Sequence, residues 1–323
     1  LGVGLGGATT NVYSIIGSRL IRSVSANLGM SYSVTNVMKE AGIEKIARWL
    51  PFELDEERIA SRLMNKMIRP TTIPQSLEDL IIEHSVAREA LRLGLMHHKS
   101  IASRLKGVRT QRDVSQVIFG DTQDESYVKM MEIGIVAGTG GLLSHAPRRV
   151  QSMILLTDGF QPEGITRLYQ DSVFMMPHLG LLSTVNPEAA WNIFDKDCLV
   201  RLGTVISPVG MGKVGDRVMS IEIDMPDGHS VKEELRYGDI KHIALGDRQE
   251  AKVIVTPTKE FDVGEGPGRR TECTVMGGVV GILLDARGRP LRLPSETGAR
   301  KEMLIKWFRS LDLYPRDGLK DIM

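Results

Sequence analysis

Two glycines and two threonines stand between two β-prone runs at the start of the chain. Gly2-Val3-Gly4-Leu5 leads into Gly6-Gly7-Ala8-Thr9-Thr10-Asn11, and Val12-Tyr13-Ser14-Ile15-Ile16 follows. Glycine lets a ligand approach the backbone and permits the φ values of a tight turn. Successive N–H groups in such a turn form an anion-binding concavity, to which Thr9 and Thr10 add hydroxyls or an indirect metal contact. The same residues would also make an ordinary hairpin closed by a Gly-Gly turn. A second cluster favours the ligand. Ile133-Gly134-Ile135-Val136-Ala137 reads as a buried strand, followed by Gly138-Thr139-Gly140-Gly141 and then Leu142-Leu143-Ser144-His145-Ala146-Pro147. Two strand-to-glycine transitions suit a nucleotide held between turns at one edge of one sheet; tight connections without a ligand are the alternative. Neither cluster is a G-x-G-x-x-G fingerprint, and the chain has no G-x-x-x-x-G-K-[ST] loop. The expected nucleotide-binding residues are Gly6, Gly7, Thr9, Thr10, Asn11, Gly138, Thr139, Gly140 and Gly141. Thr9 and Thr10 are assigned to phosphates, and Gly138, Gly140 and Gly141 to close backbone approach near the nucleoside. No catalytic residue and no metal ligand is assigned.

The elements that would position these residues fall into three stretches. Residues 1–205 read as an α/β lobe, mainly helical from about 35 to 132. Ser76 suits the N-cap of a helix carrying Leu77, Leu80, Ile81, Ala87, Leu91 and Leu95, with Glu78 and Asp79 in its first turn. Arg69-Pro70-Thr71-Thr72-Ile73-Pro74 interrupts the helical pattern. Met153-Ile154-Leu155-Leu156-Thr157 reads as a short buried strand. Residues 206–294 shift to short strands around turn chemistry such as Pro226-Asp227-Gly228-His229, which predicts a β-rich subdomain. Residues 295–323 hold an amphipathic helix with Leu304, Trp307, Phe308 and Leu311 on one face, expected to dock on its own domain.

Bulk properties exclude several classes. With 323 residues, 42% hydrophobic and 25% charged, the chain suits one large or two ordinary globular domains. A net charge of +1 gives no case for nucleic acid or an anionic membrane surface. No apolar run approaches bilayer length. With only Cys198 and Cys273, a disulfide framework is not expected and the cytosol is favoured. Sixteen methionines suit an adaptable core.

Several conspicuous residues read better as structural. His97 and His98 diverge by about 100° on a helix and make no i,i+4 metal pair. Asp285-Ala286-Arg287-Gly288-Arg289-Pro290 reads as an ion pair steadying a turn. His145 and His178 adjoin glycine or proline loops, where capping or buried hydrogen bonding outweighs proton transfer. Ser144-His145 lacks an acidic partner in sequence for a triad.

Eight stretches in order carry a family resemblance: GGATTNVYS at the start, NLGMSYS at 27–33, RPTTIP at 69–74, AGTGGLLSHAPRR at 137–149, LLTDGFQPEGIT at 155–166, DSVFMMPHLGLLS at 171–183, FDVGEGPGR at 261–269 and GGVVGILLDARGRPLRLP at 277–294. Over nearly its whole length the chain resembles the MutL family associated with glutamate mutase, unrelated to the mismatch-repair protein of the same name. The resemblance implies an α/β, actin-like ATPase (ribonuclease H-like) lobe of the actin, sugar-kinase and Hsp70 superfamily. It implies ATP/ADP and Mg²⁺ as cofactors and an adenosylcobalamin-dependent mutase as partner. It also implies a preceding lobe, so the chain reads as a fragment that lacks it.

Three departures bear on chemistry. The superfamily usually has Asp where Gly4 stands, and the family has Asp where Asn11 and Asn27 stand. Asn keeps hydrogen bonding but loses the charge that holds a metal, so binding is expected more than hydrolysis. The leading expectation is a nucleotide-dependent accessory or reactivating protein for such a mutase. A nucleotide-binding pseudoenzyme is the alternative, and a small-molecule kinase the third reading; fold alone does not choose.

Overall fold

The computed structural model describes residues 1–103 and 126–322; the expected helical region lies outside the described residues over 104–125. A meander opens the chain: β1 (Gly2–Leu5), β2 (Thr10–Ile16) and β3 (Arg19–Ser25). Period-2 alternation sets its faces. Thr10, Val12 and Ser14 are buried on one side of β2, and Tyr13 and Ile15 are exposed on the other. Four helices follow, α1 (Val34–Ala41), α2 (Ile43–Ala47), α3 (Glu56–Ile68) and α4 (Leu77–Ile101). Ser76 caps α4 as expected, its hydroxyl accepting the Asp79 N–H at 3.1 Å. Next come β4 (Ile135–Thr139), α5 (Gly141–Ser144), α6 (Arg149–Phe160), β5 (Gly164–Asp171), α7 (Met176–Leu182), α8 (Pro187–Ile193) and β6 (Leu199–Ser207).

Two local expectations are corrected. Met153–Thr157 is not a strand but the middle of α6, where every residue from Gln151 to Phe160 is buried. Burial on all sides erases the 3.6-residue period, and a short apolar run alone does not separate helix from strand. The strand expected at Ile133–Ala137 is β4, shifted two residues on, so Gly138 and Thr139 belong to the strand rather than the loop.

The strands beyond β6 are β7 (Val209–Gly210), β8 (Arg217–Asp224), β9 (Ser230–Arg236), β10 (Ile240–Ile243), β11 (Glu250–Pro257), β12 (Phe261–Asp262), β13 (Thr271–Met276) and β14 (Gly281–Asp285). An eight-stranded mixed sheet runs β10-β14-β6-β5-β4-β1-β2-β3. Within it β1, β4 and β5 are parallel neighbours, whereas β2 and β3 continue antiparallel. A separate antiparallel sheet runs β13-β11-β8-β9, and β7 pairs with β12. The protein is therefore mixed α/β. Two strands from the β-rich stretch, β10 and β14, complete the large sheet instead of joining the small one.

The main core lies where α4 and α6 cover one face of the large sheet, with Val12, Leu91, Leu156 and Leu168 inaccessible to solvent. A second core, around Val253, Val255, Ile221 and Ile282, fills the space under the small sheet. The C-terminal helices are α9 (Thr297–Ser310) and α10 (Arg316–Asp321). Leu304, Trp307, Phe308 and Leu311 are all buried, and Trp307 Nε1 donates to the Gly238 carbonyl at 2.7 Å, so this segment docks on its own chain.

Behind α6 runs a buried ion network. Asp158 accepts from Arg88 and Arg287 at 2.7 Å each; Asp285 accepts from Arg287 at 2.8 Å and Arg289 at 2.7 Å. Burial alone would raise the Asp285 carboxyl. The Arg287 and Arg289 guanidiniums overcome it and hold the group well below the usual carboxylate range.

Candidate functional site

The turn after β1 is fixed mainly by backbone. Gly6 N–H donates to the Thr9 carbonyl at 2.9 Å, closing the turn. Segment 29–33 clasps it from below: Met30 N–H donates to the Gly6 carbonyl and Ser31 N–H to the Gly7 carbonyl, both at 2.9 Å. The crossing is so close that a Cβ on Gly29 would lie 2.4 Å from the Ala8 carbonyl carbon. No backbone acceptor among the described residues takes the Gly7 or Ala8 N–H.

The second turn meets the first. Gly140 has φ +113°, and a Cβ there would lie 2.1 Å from the Leu5 carbonyl oxygen. Only glycine lets these two backbones pass so closely. The parallel β1–β4 pairing thus places both glycine clusters at adjacent strand ends. Gly141, which opens α5, has no atom within 4 Å of a Cβ position and borders open space.

Gly6, Gly7 and Gly141 line one cleft of about 790 Å³. Its other walls come from Met30 and Ser31, from Lys66 on α3, from Pro70, Ile73 and Pro74, from Glu83 and His84 on α4, and from His145, Arg148 and Pro315. Lys66 is ion-paired to Glu83 and donates to the Thr72 carbonyl. Burial pushes the Glu83 carboxyl up despite that partner. A second cavity of about 550 Å³ shares the Lys66–Glu83 wall. Both volumes suit a small-molecule site.

Thr10 requires correction. Its side chain points into the main core, fully buried, and its hydroxyl donates to the Leu28 carbonyl at 2.6 Å. The strand alternation that buries Val12 also turns Thr10 away from the cleft. Gly138 likewise faces the core, where a Cβ would lie 2.9 Å from Leu143. Thr9, Asn11, Thr139 and Gly140 surround the two turns without lining the cleft.

Asn11, Gly4 and Thr139 form a row across β2, β1 and β4. A Cβ on Gly4 would lie 3.7 Å from Thr139 Cγ2 and 4.0 Å from Asn11 Cβ. Asn11 Oδ1 is buried without a partner. Thr139 Oγ1 donates to Asp171 Oδ2 at 3.2 Å, and the N–H groups of Val173 and Met176 occupy the same carboxylate. The row itself carries no carboxylate, and no group of three potential metal-ligating His, Cys, Asp or Glu side chains occurs among the described residues.

The remaining candidates resolve as structural or exposed. Ser144 donates to the Asp171 carbonyl at 2.5 Å, which ends any triad reading. Ser23 and Ser14 bracket buried His98 at 2.9 and 2.8 Å, and Ser25 meets His97 at 2.8 Å. Burial lowers His98 to a pKa of about 4. His178 is exposed on α7. The two cysteines are free. Sequence reasoning missed Lys66, Glu83, His84 and Pro315 as cleft residues. Only the RPTTIP stretch, quoted for its family likeness, signalled that the α3–α4 connection belonged to the site.

Profile comparison matches residues 1–198 to the family described as "MutL protein". The chain belongs to this MutL family, the kind associated with glutamate mutase rather than mismatch repair. It is similar to Protein MutL of Clostridium tetanomorphum, 22% identical over 216 residues, which cover 60% of this chain and 44% of that relative. The chain thus spans less than half the length of the relative. No solved structure matches. No helix among the described residues is long and apolar enough to cross a membrane.

Proposed function

We propose that the cleft between the glycine turns, α3 and α4 holds a nucleoside phosphate, and that binding biases a nucleotide-dependent accessory protein of an adenosylcobalamin-dependent mutase such as glutamate mutase. One observation carries this reading. Four of the family-like stretches, GGATT, NLGMSYS, RPTTIP and GGLLSHAPRR, converge on this single cleft although they lie far apart in sequence. The unpaired Gly7 and Ala8 N–H groups suit phosphate oxygens. Open α/β sheets bind ligands beyond the carboxyl ends of their strands, and β1 and β4 end here. A meander continued by parallel strands supports the actin-like, ribonuclease H-like lobe. Nucleotide exchange would act on a partner only through a difference in affinity between two cleft conformations.

The pseudoenzyme reading has its own support. Gly4 and Asn11 stand where the family resemblance implies carboxylates, and Asp171 is occupied by its own loop. Calorimetric titration with ADP and ATP tests binding; a wild-type chain that binds neither at millimolar concentration removes the proposal. Phosphate release, with and without glutamate mutase, tests turnover. A Cβ at position 4 meets only ordinary contacts, and Gly4→Asp with Asn11→Asp should raise Mg²⁺-dependent release more than nucleotide affinity. Fast wild-type release that neither substitution changes would dismiss the pseudoenzyme reading.

A further inference from the structure

Met30 joins the glycine turn to the second cavity. Its N–H donates to the Gly6 carbonyl at 2.9 Å, and it lines both the cleft and the neighbouring cavity of about 550 Å³. The two lie on different faces of α4. At about 100° per residue, Leu77, Leu80 and His84 fall on the side toward the cleft, and Asp79, Ile82 and Val86 on the side toward the second cavity. Glu83 stands between these faces and lines both, as do its ion-pair partner Lys66 and the Ile73-Pro74-Gln75 segment. The cavities thus meet along shared residues.

The second cavity has the lining of a ring pocket. Met30, Val34, Leu63, Ile82 and Val86, all buried, supply its apolar floor. Asn65 and Gln75 add side-chain amides, each able to donate and to accept. Apolar walls with a few polar groups suit the flat ring of an organic ligand, and a methionine thioether packs well against such a ring. The region expected from sequence to hold the nucleoside is less suitable. Of Gly138, Gly140 and Gly141, only Gly141 lines the cleft; Gly138 faces the core, and the Leu5 carbonyl fills the space beside Gly140. We propose that the second cavity receives the base of the nucleotide whose phosphates meet the Gly6-Gly7 turn, with the sugar crossing the Lys66–Glu83 boundary. The proposal rests on the nucleotide reading above.

Photolabelling of the whole chain with 8-azido-ADP tests the placement directly. The label should attach to peptides carrying residues 30–34 or 62–86 and be displaced by ADP. Attachment elsewhere, above all within 133–147, would overturn the proposal. Calorimetry on Asn65→Trp supplies an independent arm. Asn65 is exposed on α3 and lines the second cavity but not the cleft, so the substitution narrows the base compartment from its rim. ADP should bind about tenfold more weakly, while inorganic pyrophosphate, which carries no base, should bind as it does to the wild type. Unchanged ADP affinity, or equal losses for ADP and pyrophosphate, would each overturn the placement while leaving nucleotide binding intact. No ADP binding by the wild type would sink both together.

Discussion

Behind α6, Asp158 and Asp285 bridge three guanidiniums, and each carboxylate oxygen of the pair has a donor within 2.8 Å. At the cleft, reached along the same helix α4, polar groups are left over: the Gly7 N–H group, His84 Nε2 and, nearby, the Ala8 N–H group and Asn11 Oδ1. Both regions are built from residue types that do chemistry, yet only one has unmet hydrogen-bonding capacity. Charge alone is therefore a poor guide to the site in this fold. A fully matched network fixes the arrangement of elements, whereas unmatched polar groups beside a cavity remain free to bond an incoming molecule.

The comparison breaks first at the network. Asp285→Ala leaves Arg289 and part of Arg287 buried without their carboxylate, and stranding a buried charge costs about 3–5 kcal/mol. Urea unfolding should show a loss of that size, with ADP affinity unchanged under conditions where the variant remains folded. A loss below about 1 kcal/mol would mean that water or relaxation reaches the guanidiniums and that the network is not the rigid side of the contrast.

Neighbouring glycines sharpen it within the site. Gly140→Ala puts a Cβ 2.1 Å from the Leu5 oxygen at a φ of +113°, so it should cost about 2 kcal/mol or more from strain and displaced backbone. Gly141→Ala meets nothing within 4 Å and should leave stability within about 0.5 kcal/mol while weakening ADP binding by crowding the cleft. Thermal melts and calorimetry on the two variants separate scaffold from ligand surface. Equal destabilisation by both would remove Gly141 from the cleft wall.

The sequence made the framework legible where a local signal was strong. Ser76 before an apolar row announced α4, and strand-to-glycine transitions placed two turns that the parallel β1–β4 pairing then brought together. Legibility ended where tertiary burial replaced periodicity. The core of α6 looks like a strand because all its faces are covered. His84 looked like nothing, because its meaning depends on Tyr314, which lies 230 residues away in sequence. Lys66 and Glu83 entered the site only through the folding of α3 against α4. DARGRP read as a turn-stabilising pair, and the pairing exists, but its reach to Asp158 was not visible from spacing.

Thr10 carries the smallest and most discriminating effect. Its residue type suggested a phosphate ligand, but the strand pleat buries it, and its hydroxyl holds the Leu28 carbonyl just before the Gly29 crossing. Thr10→Val keeps the shape against Gly94 and removes only that hydrogen bond, a loss of about 1 kcal/mol. The effect should appear as a lowered melting temperature with ADP affinity nearly unchanged, because the clasp of 29–33 still rests on the Met30 and Ser31 backbone bonds. Thr9→Val, on the partly exposed side of the turn, should do the reverse: stability unchanged and any effect confined to ligand binding. If Thr10→Val instead weakens ADP tenfold at an unchanged melting temperature, the turn must rotate when ligand binds. The free-state geometry would then understate how much of the GGATT stretch meets the phosphates.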